Sequence, residues 1–435
     1  MHIILLSGGS GKRLWPLSNE VRSKQFVKIF HGVEGYESML QRTFRQISTI
    51  PAQISVTVST SQAQKKILKK YIPAEVDVSA EPCRRNTFPA IALTAAYLHD
   101  VKKVDADESI VICPVDPYVD DDFFVEFKTL ADLVQTSTAN LILLGINPTY
   151  PSEKYGYIIP ASKDKVSDVV EFKEKPDALT AEKYIHAGGL WNGGVFACKI
   201  SYVLGKAREI LKTDSYDELL KNYAALPDIS FDYAVVEREK NIKVVRYFGE
   251  WKDVGTWNTL TEVMVEENIG KVYFDKTCEN THVINETDTP IIAMGLKDIV
   301  VAASADGILV ADKFQSSYMK PLAEKIHGPI RFAEKSWGTY QVIDADGQGL
   351  TIKVILSAGS QMNYHSHEHR RETWTVIEGT GRVNLDGEIK TVTVGDFIEI
   401  PIGVKHTIHA VTDLKVIEVQ TGEEISVEDK ILWKE

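Results

Sequence analysis

The sequence is poor in cysteine, and its cysteines form no recognisable pair. The four of them, Cys83, Cys113, Cys198 and Cys278, lie far apart and show no CxxC spacing. This pattern argues against a disulfide framework or a zinc site made of cysteines. It predicts reduced, apolar residues in a cytoplasmic protein.

Long hydrophobic runs are also missing from the sequence. No stretch approaches the roughly 18 apolar residues of a membrane-spanning helix. The apolar run from Ile3 to Leu6 is too short for a signal peptide and has no basic residues before it. We therefore expect a soluble protein without a membrane partner.

Basic residues are outnumbered by acidic ones. Lys and Arg number 49 against 61 Asp and Glu, which gives a net charge of −12. Such a chain is a poor candidate for nucleic-acid binding, which depends on basic surface. Any phosphate that it binds must be held by a local cluster of cations.

What the sequence does contain is material for several cores. Its 435 residues are 44% hydrophobic and 25% charged, which is typical of a globular protein with two or three domains. Apolar strands such as HIILLS and ESIVICPVD alternate with helical segments up to about residue 265. This alternation predicts an α/β, Rossmann-like domain with a mostly parallel sheet over residues 1–265.

Shorter strands separated by turn residues follow this first domain. We predict a β-rich connector over residues 266–330. Gly-rich turns such as DADGQG and NLDGE then predict a C-terminal β-barrel or double-sheet roll over residues 331–435.

A glycine-rich loop follows directly after the first predicted strand. It contains Gly8, Gly9, Gly11, Lys12 and Arg13. Glycines in such a turn let backbone N–H groups approach a phosphate, and the two cations add positive charge. The loop is neither a Walker A sequence nor a GxGxxG fingerprint, so on its own it is equally consistent with a tight turn carrying surface cations.

The residues around this loop resemble a known family. The string GGSGKRLWPLS, followed by SKQF, resembles the signature of sugar-1-phosphate nucleotidylyltransferases, and its WPLS form resembles the mannose-1-phosphate guanylyltransferase branch. Further blocks of that branch follow in order along the chain: EP and RNTxPA from Glu81, PVD ending at Asp116, a YGY loop at Tyr155, FKEKP around Lys175, a predicted WN–G turn at Asn192, FDYA at Phe231 and WKDVGTW around Asp253.

The resemblance implies that GMP is transferred from GTP to α-D-mannose 1-phosphate, forming GDP-mannose and pyrophosphate. It implies three catalytic cations, Arg13, Lys24 and Lys175, and a Mg²⁺ site at Asp116 and Asp253. The implied nucleotide-binding residues are Gly8, Gly9, Gly11, Lys12, Arg13, Lys24, Glu81, Arg85 and Asn86. The implied sugar-phosphate-binding residues are Tyr155, Gly156, Glu174, Lys175 and Asn192.

Two positions depart from the family pattern. Lys12 stands where the family usually has a small hydroxyl residue, and Pro117 stands where it usually has His after the metal aspartate. Taken singly, Lys24 could also be a surface lysine, Asp116 a turn former and Asp253 a helix N-cap.

Histidines are concentrated near the C-terminal end. Five of the 11 lie between residues 365 and 409. His365 and His367 share one face of a strand, because strand side chains alternate with a period of two. With Glu372 and His406 from neighbouring strands, they predict a site for one divalent transition metal, with zinc, iron, manganese and nickel left open.

The same region resembles the cupin signature, G-x5-HxH-x4-E-x6-G followed by G-x5-PxG-x2-H. It also resembles the mannose-6-phosphate isomerase domain found in long guanylyltransferases, in which Arg370 would meet the substrate phosphate or a developing enediolate. This chain departs from that domain at His365, usually glutamine, and at Thr373, usually histidine. It also has EEISVEDKILWKE in place of an Arg-containing tail. The isomerase activity therefore stays open, and so does a purely structural cupin.

Two alternatives remain for the whole protein. One is a nucleotidylyltransferase for another sugar 1-phosphate with a structural cupin. The other is a nucleotide-sugar sensor without turnover, which the paired carboxylates disfavour. Assembly as a homo-oligomer through the cupin or the connector is also left open.

Overall fold

A computed structural model describes residues 1–9, 12–19, 21–33, 35–50, 53–326, 330–347, 349–423, 425 and 429–434. The chain divides into two compact units. The first comprises Met1–Ser10 and Gln25–Val265, and the second comprises Gly11–Lys24 and Glu266–Glu435. Within the described residues, no helix is long and apolar enough to cross a membrane.

The first unit contains both strands and helices. Its strands are β1 His2–Ser7, β2 Lys28–Gly32, β3 Gly35–Ser38, β4 Ser55–Ser61, β5 Asp77–Glu81, β6 Ser109–Pro114, β7 Pro117–Val119, β8 Leu141–Ile146, β9 Tyr157–Pro160, β10 Val166–Lys173, β11 Leu190–Lys199, β12 Ile242–Tyr247 and β13 Trp251–Asp253. Its helices are α1 Met39–Ile47, α2 Lys65–Leu68, α3 Thr87–Ala96, α4 Asp122–Thr136, α5 Ala178–His186, α6 Ile200–Leu211, α7 Tyr216–Asn222, α8 Phe231–Ala234 and α9 Trp257–Thr261.

A nine-stranded sheet forms the centre of this unit, in the order β5-β4-β1-β6-β11-β8-β12-β10-β9. β11 runs antiparallel to both of its neighbours β6 and β8, and β10 runs antiparallel to β12 and β9. The other seven strands share one direction. The predicted mostly parallel α/β sheet is therefore confirmed.

Both faces of the sheet are buried, as its continuous apolar strands require. The side chains of β1 show this directly, because successive residues point to opposite faces. Ile3 and Leu5 belong to one apolar core, and Ile4 belongs to the core on the other face. Helices cover each face. At the start of α1 the Ser38 hydroxyl accepts from the backbone N–H of Gln41.

The second unit is almost entirely β-structure. Its strands are β14 Asn268–Gly270, β15 Val272–Phe274, β16 His282–Asn285, β17 Ile291–Ala293, β18 Ile299–Ser304, β19 Gly307–Asp312, β20 Phe332–Lys335, β21 Gly338–Asp346, β22 Gly349–Leu356, β23 His365–Ser366, β24 Arg370–Glu378, β25 Thr380–Leu385, β26 Glu388–Thr393, β27 Phe397–Ile400, β28 His406–Ala410, β29 Leu414–Gly422 and β30 Ile431–Leu432. One short helix, α10, spans Lys320–Ala323.

The first strands of this unit form two small sheets with parallel strand pairs. β14, β16 and β18 are parallel neighbours in one sheet, and β15 pairs in parallel with β17 in the other. Val283, Ala293 and Val301 form an apolar core in this region. The region that was predicted as a β-rich connector therefore consists of these short strands.

Residues 12–24 are attached to this β-rich part of the second unit. Arg22 is buried and makes a bidentate ion pair with Glu286, with distances of 2.7 and 3.0 Å. Asn19 donates to a carboxylate oxygen of Asp306 at 2.7 Å. Bidentate guanidinium–carboxylate pairs fix orientation as well as distance, so this segment is held firmly.

Two facing sheets complete the second unit. One has six strands in the order β20-β21-β22-β29-β24-β27, and the other has five in the order β26-β25-β28-β23-β30. Apolar residues such as Trp374, Val383 and Val416 fill the space between them. This double-sheet roll confirms the predicted C-terminal cupin barrel.

Candidate functional site

A cleft of about 220 Å³ opens in the first unit where several strands end. Asp116 follows β6, and β7 pairs with β13 so that Asp253 lies opposite Pro117. This pairing brings the two predicted Mg²⁺ carboxylates to one cleft. The cleft is lined by Pro114, Asp116, Pro117, Lys154, Tyr155, Gly156, Glu174, Asn192, Gly193, Gly194, Asp232, Trp251 and Asp253.

The predicted sugar-binding residues lie on one side of this cleft. Glu174 is buried and pairs with Lys175 at 2.8 Å through Oε1. Its other oxygen, Oε2, has no hydrogen-bond partner among the described residues. A Cβ atom added to Gly156 would lie 2.5 Å from that oxygen, so only glycine allows this close approach.

Asn192 lies in a strand, where the sequence had predicted a turn. The pairing of β11 with β8 is irregular between Asn192 and Phe196, and Gly194 has a φ of +72°. The Asn192 side-chain oxygen accepts from the Gly194 N–H, and its amide nitrogen donates to Asp232. The bulge therefore fixes the orientation of the Asn192 amide toward the cleft.

Asp232 is a cleft residue that the sequence analysis did not select. Burial of its carboxyl group, together with the charge of Glu174, raises its pKa to about 6, while the hydrogen bond from Asn192 opposes the shift. The FDYA block marked its position in the chain. Its burial beside Glu174 depends on tertiary packing, so the sequence gave its position in a family block but not its role in the cleft.

Tyr155 and Lys175 complete the sugar side. The Tyr155 ring contacts Trp191 and Trp251, with ring centroids 5.0 and 5.5 Å away. Burial, with the charge of Asp253, raises its pKa, so the phenol stays neutral. Lys175 is exposed, with a φ of +46°, and its ammonium group is held at the cleft by Glu174.

The glycine-rich loop follows β1 as predicted. Gly8 and Gly9 are exposed, and Gly9 has a φ of +123°. Gly11 lies outside the described residues. Lys12 begins a short 3-10 helix that also contains Arg13, whose side chain is exposed.

Lys24 opens a second 3-10 helix and is half-buried. Lys12, Arg13 and Lys24 all belong to the second unit, whereas the carboxylates of the cleft belong to the first.

The predicted nucleotide residues around β5 already have partners within the first unit. The Glu81 carboxylate accepts from the Tyr223 hydroxyl at 2.7 Å. Arg85 donates to the carbonyl of Ala224. Asn86 caps α3 by accepting from the N–H of Thr87 at 2.9 Å.

The cation that reaches the glycine-rich loop is Arg84, which the sequence analysis passed over. One of its nitrogens donates to the carbonyl of Gly9 at 3.3 Å.

The predicted histidine cluster is assembled in the second unit. One potential ligand atom from each of His365, His367 and His406 lies within 4.8 Å of the others, and all three residues are buried. His365 on β23 is the direct cross-strand partner of His406 on β28. Glu372 comes from β24 in the facing sheet, so the expectation that it would come from a strand neighbouring theirs is wrong.

Backbone carbonyls fix the tautomer of each ring. The Nδ1 atoms contact the carbonyl oxygens of Asn363, Asp429 and Val404, respectively. A carbonyl only accepts, so each Nδ1 carries the proton and each Nε2 presents a lone pair. Tautomers fixed by such contacts are typical of histidines that bind metals.

The acceptor atoms of this cluster converge on one another, although His367 Nε2 also accepts from Arg370 at 3.2 Å. His367 Nε2 lies 2.9 Å and His406 Nε2 lies 3.4 Å from oxygens of Glu372. His406 Nε2 has no hydrogen-bond donor among the described residues. Burial lowers the pKa of His365 to about 2, which keeps that ring neutral. Converging lone pairs repel one another unless a cation lies between them, so the donor set fits a metal ion.

A cavity of about 510 Å³ opens beside the cluster. Arg370 is buried against it, with nitrogens 3.3 Å from Glu372 and 3.2 Å from His367. Glu418 lines the cavity, and burial together with the charge of Glu372 raises its pKa to about 8. The walls are largely apolar, which is typical of a small-molecule site.

The two-part architecture, with a carboxylate cleft in one unit and a histidine-lined cavity in the other, matches two family models. The nucleotidyl transferase model covers residues 2–268, and the mannose-6-phosphate isomerase C-terminal model covers residues 324–435. The chain therefore belongs to the nucleotidyl transferase family and carries a C-terminal domain of the second family.

Relatives narrow this class to the mannose-1-phosphate guanylyltransferases, which confirms the resemblance found in the sequence. A mannose-1-phosphate guanylyltransferase of Salmonella montevideo is 30% identical, with 99% of this chain and 98% of the relative covered. The xanthan biosynthesis protein XanB of Xanthomonas campestris is also 30% identical, with the same coverage.

A solved structure is similar to most of the chain. It is described as a mannose-1-phosphate geranyltransferase from Thermus thermophilus and matches with a TM-score of 0.62 and 27% identity. The match covers 74% of this chain and 98% of that one.

Proposed function

We propose that this protein transfers GMP from GTP to α-D-mannose 1-phosphate. A phosphate oxygen of the sugar phosphate attacks the α-phosphorus of GTP, the bond to the β-phosphate breaks, and GDP-mannose and pyrophosphate result. The observation that carries this proposal is the cleft, which combines paired carboxylates with a polar sugar side, in a chain similar over its whole length to guanylyltransferases.

The reaction brings two highly charged anions together. Catalysis therefore depends mostly on charge neutralisation and in-line positioning of the reacting groups. We assign Arg13 and Lys24 to the triphosphate and Lys175 to the incoming sugar phosphate. The remaining nucleotide contacts are assigned to Gly8, Gly9, Gly11, Lys12, Glu81, Arg85 and Asn86. Arg84 is added to them because it reaches the glycine-rich loop.

Asp116 and Asp253 supply the oxygen donors that Mg²⁺ prefers, and their strands place them at one cleft. When bound there, the ion would neutralise phosphate charge in the transition state.

We assign binding of the sugar hydroxyls to Glu174, Asn192, Tyr155 and the backbone at Gly156. The unpartnered Oε2 of Glu174 is an acceptor that a hydroxyl can satisfy. A buried carboxylate oxygen without a hydrogen bond is unfavourable, so a sugar hydroxyl that donates to it gains both affinity and orientation.

We propose a second activity for the C-terminal domain, the interconversion of mannose 6-phosphate and fructose 6-phosphate. His365, His367, Glu372 and His406 would hold one divalent transition metal, which would polarise the sugar carbonyl when bound. The reaction moves a proton from C2 to C1 of the open-chain sugar. Arg370 lies beside both Glu372 and His367, where it can stabilise the developing enediolate oxygen.

This assignment divides the chain into a transferase domain over residues 1–265, a connector over 266–330 and a cupin over 331–435. We place the protein in the cytoplasm, where its four free cysteines stay reduced. A different sugar 1-phosphate remains the alternative substrate.

The proposal is tested with four nucleoside triphosphates against several sugar 1-phosphates, measuring pyrophosphate release. We expect the highest kcat/KM for GTP with mannose 1-phosphate. A higher value for another pair would reassign the substrate, and tight binding without pyrophosphate release would indicate a sensor. Mannose 6-phosphate is assayed separately for fructose 6-phosphate formation by metal-loaded protein.

A further inference from the structure

The segment Asp429–Trp433 is built into the cupin site. β30 pairs with β23, so that Leu432 lies opposite His365 and Ile431 opposite Ser366. The indole N–H of Trp433 donates to the Ser366 hydroxyl at 2.9 Å. This is the part of the chain where the sequence departs from the isomerase-like tail.

Asp429 ties the segment to the metal-ligand strand. Its carbonyl accepts the Nδ1 proton of His367, and its carboxylate accepts from the backbone N–H groups of Glu368 and His369 at 2.7 and 3.2 Å. The same carboxylate lies 3.6 Å from Arg370. The next residue, Lys430, is thereby held in a defined position.

Lys430 lines the cavity beside the histidine cluster, together with Lys335 and Arg370. Arg370 is engaged by the carboxylates of Glu372 and Asp429. In contrast, neither Lys335 nor Lys430 forms an ion pair within the part of the chain that the structure describes, and Lys335 packs over the Tyr340 ring at 5.5 Å. Two ammonium groups without an ion pair to a described carboxylate thus face one cavity, although the carboxylates of Glu372 and Glu418 line it too and attract Lys430 from farther away.

Cations gathered at a partly buried cavity are costly unless an anion compensates them. The volume of about 510 Å³ and the apolar walls, which include Trp337 and Leu350, suit a ligand of the size of a hexose phosphate. Arg370 already lies at the histidine cluster. The phosphate group of such a ligand would therefore be bound by the two lysines.

We propose that Lys430, together with Lys335, forms the phosphate-binding subsite of the cupin cavity, and that its ligand is a sugar phosphomonoester. The proposal rests on the second activity proposed above and names the residues that recognise its substrate.

The test measures binding of mannose 6-phosphate, mannose and inorganic phosphate to the full-length, metal-loaded protein by titration calorimetry at low salt. Lys430→Met is compared with Lys434→Met, which changes an exposed lysine directly after this segment. Binding of phosphate at the transferase cleft contributes equally to both variants, so their difference reports on the cupin.

We expect Lys430→Met to weaken mannose 6-phosphate binding at least tenfold, as loss of a charge-assisted contact typically does. Lys430→Arg should retain most of the affinity, and Lys434→Met should match the parent. Metal content and guanylyltransferase turnover should not change in any of the three. Mannose without phosphate should bind Lys430→Met and the parent alike.

Equal affinity of Lys430→Met and Lys434→Met for mannose 6-phosphate would overturn the proposal, and so would an equal loss for unphosphorylated mannose. A parent protein that binds neither mannose 6-phosphate nor phosphate at the cupin would overturn it too. Phosphate-dependent binding without isomerisation would instead reject only the second activity and leave the subsite standing.

Discussion

The side-chain amide of Asn192 donates a 2.6 Å hydrogen bond to Oδ1 of Asp232 across the sugar side of the transferase cleft. Burial and the charge of Glu174 disfavour the charged form of Asp232 and raise its pKa to about 6. The bond therefore joins a fixed amide to a carboxyl group whose charge changes close to neutral pH.

Asp232→Asn should change how stability depends on pH. The folded-state pKa of Asp232, about 6, exceeds its usual value of 3.8, so the folded protein binds this proton more tightly than the unfolded chain does. The free energy of unfolding therefore decreases as pH rises from about 4 to 6. The asparagine variant does not titrate and lacks this decrease. Its melting temperature relative to the parent should rise between pH 4 and pH 7.5, as measured by thermal unfolding.

The matched control is Asp177→Asn. Hydrogen bonds from Thr180 lower the pKa of Asp177, so its charge stabilises the fold above the usual carboxyl pKa and is lost as pH falls. Its relative melting temperature should therefore fall only as pH rises toward about 4 and stay level between pH 4 and pH 7.5. A rise between pH 4 and pH 7.5 in both variants would reject the assignment for Asp232.

Asp116→Asn and Asp253→Asn should each abolish Mg²⁺-dependent guanylyltransferase turnover. Asparagine keeps the shape of the side chain but removes the charge that holds the cation. Pyrophosphate release is measured over a Mg²⁺ titration, with the exposed Asp132→Asn as the control. If both cleft variants keep the metal dependence of the parent, the two carboxylates are structural.

Arg13→Ala and Lys24→Ala should each lower kcat at least about 100-fold while the fold stays intact. Loss of a charged contact to the transition state costs a few kcal/mol, and each 1.4 kcal/mol or so is tenfold in rate. Lys221→Ala, which removes an exposed lysine, is the control. Near-normal turnover in either variant would remove that residue from the triphosphate site.

Lys175→Ala should raise the KM for the sugar phosphate more than the KM for GTP. The reason is its ion pair with Glu174, which holds the ammonium group at the sugar side of the cleft. Steady-state kinetics with each substrate varied in turn give the two values. An equal or larger change for GTP would place Lys175 on the triphosphate instead.

A double substitution, His365→Ala with His367→Ala, should remove a bound metal from the cupin. Elemental analysis of parent protein purified without chelator should give about one divalent transition metal per chain, since the three rings and Glu372 form one donor set. The guanylyltransferase reaction should survive, because its carboxylates lie in the other unit. Full metal content in the double variant would disprove this ligand set.

Much of the fold was predictable because its signals are local. The apolar run HIILLS became β1, and ESIVICP became β6, since buried parallel strands need apolar side chains on both faces. The antiparallel strand β11 was missed because its glycines at 193 and 194 resemble a turn, and only its neighbours β6 and β8 make it a strand.

The histidine cluster was predictable for a similar reason, since a spacing of two residues places His365 and His367 on one side of the chain. Asp232 and Lys430 were not predictable. Their importance comes from burial beside Glu174 and from the path of β30, which brings residue 430 to a cavity whose other walls lie far away in sequence.

The attachment of residues 12–24 to the β-rich connector has a consequence for how this enzyme can be divided. Arg22 and Asn19 have their partners at Glu286 and Asp306, beyond the point where the transferase motifs end. A fragment that stops at residue 265 would keep every transferase motif and yet leave the stretch with Arg13 and Lys24 without its anchors. A chimera that exchanges the transferase region between relatives would therefore have to include the connector, although the motifs alone suggest a domain boundary at residue 265.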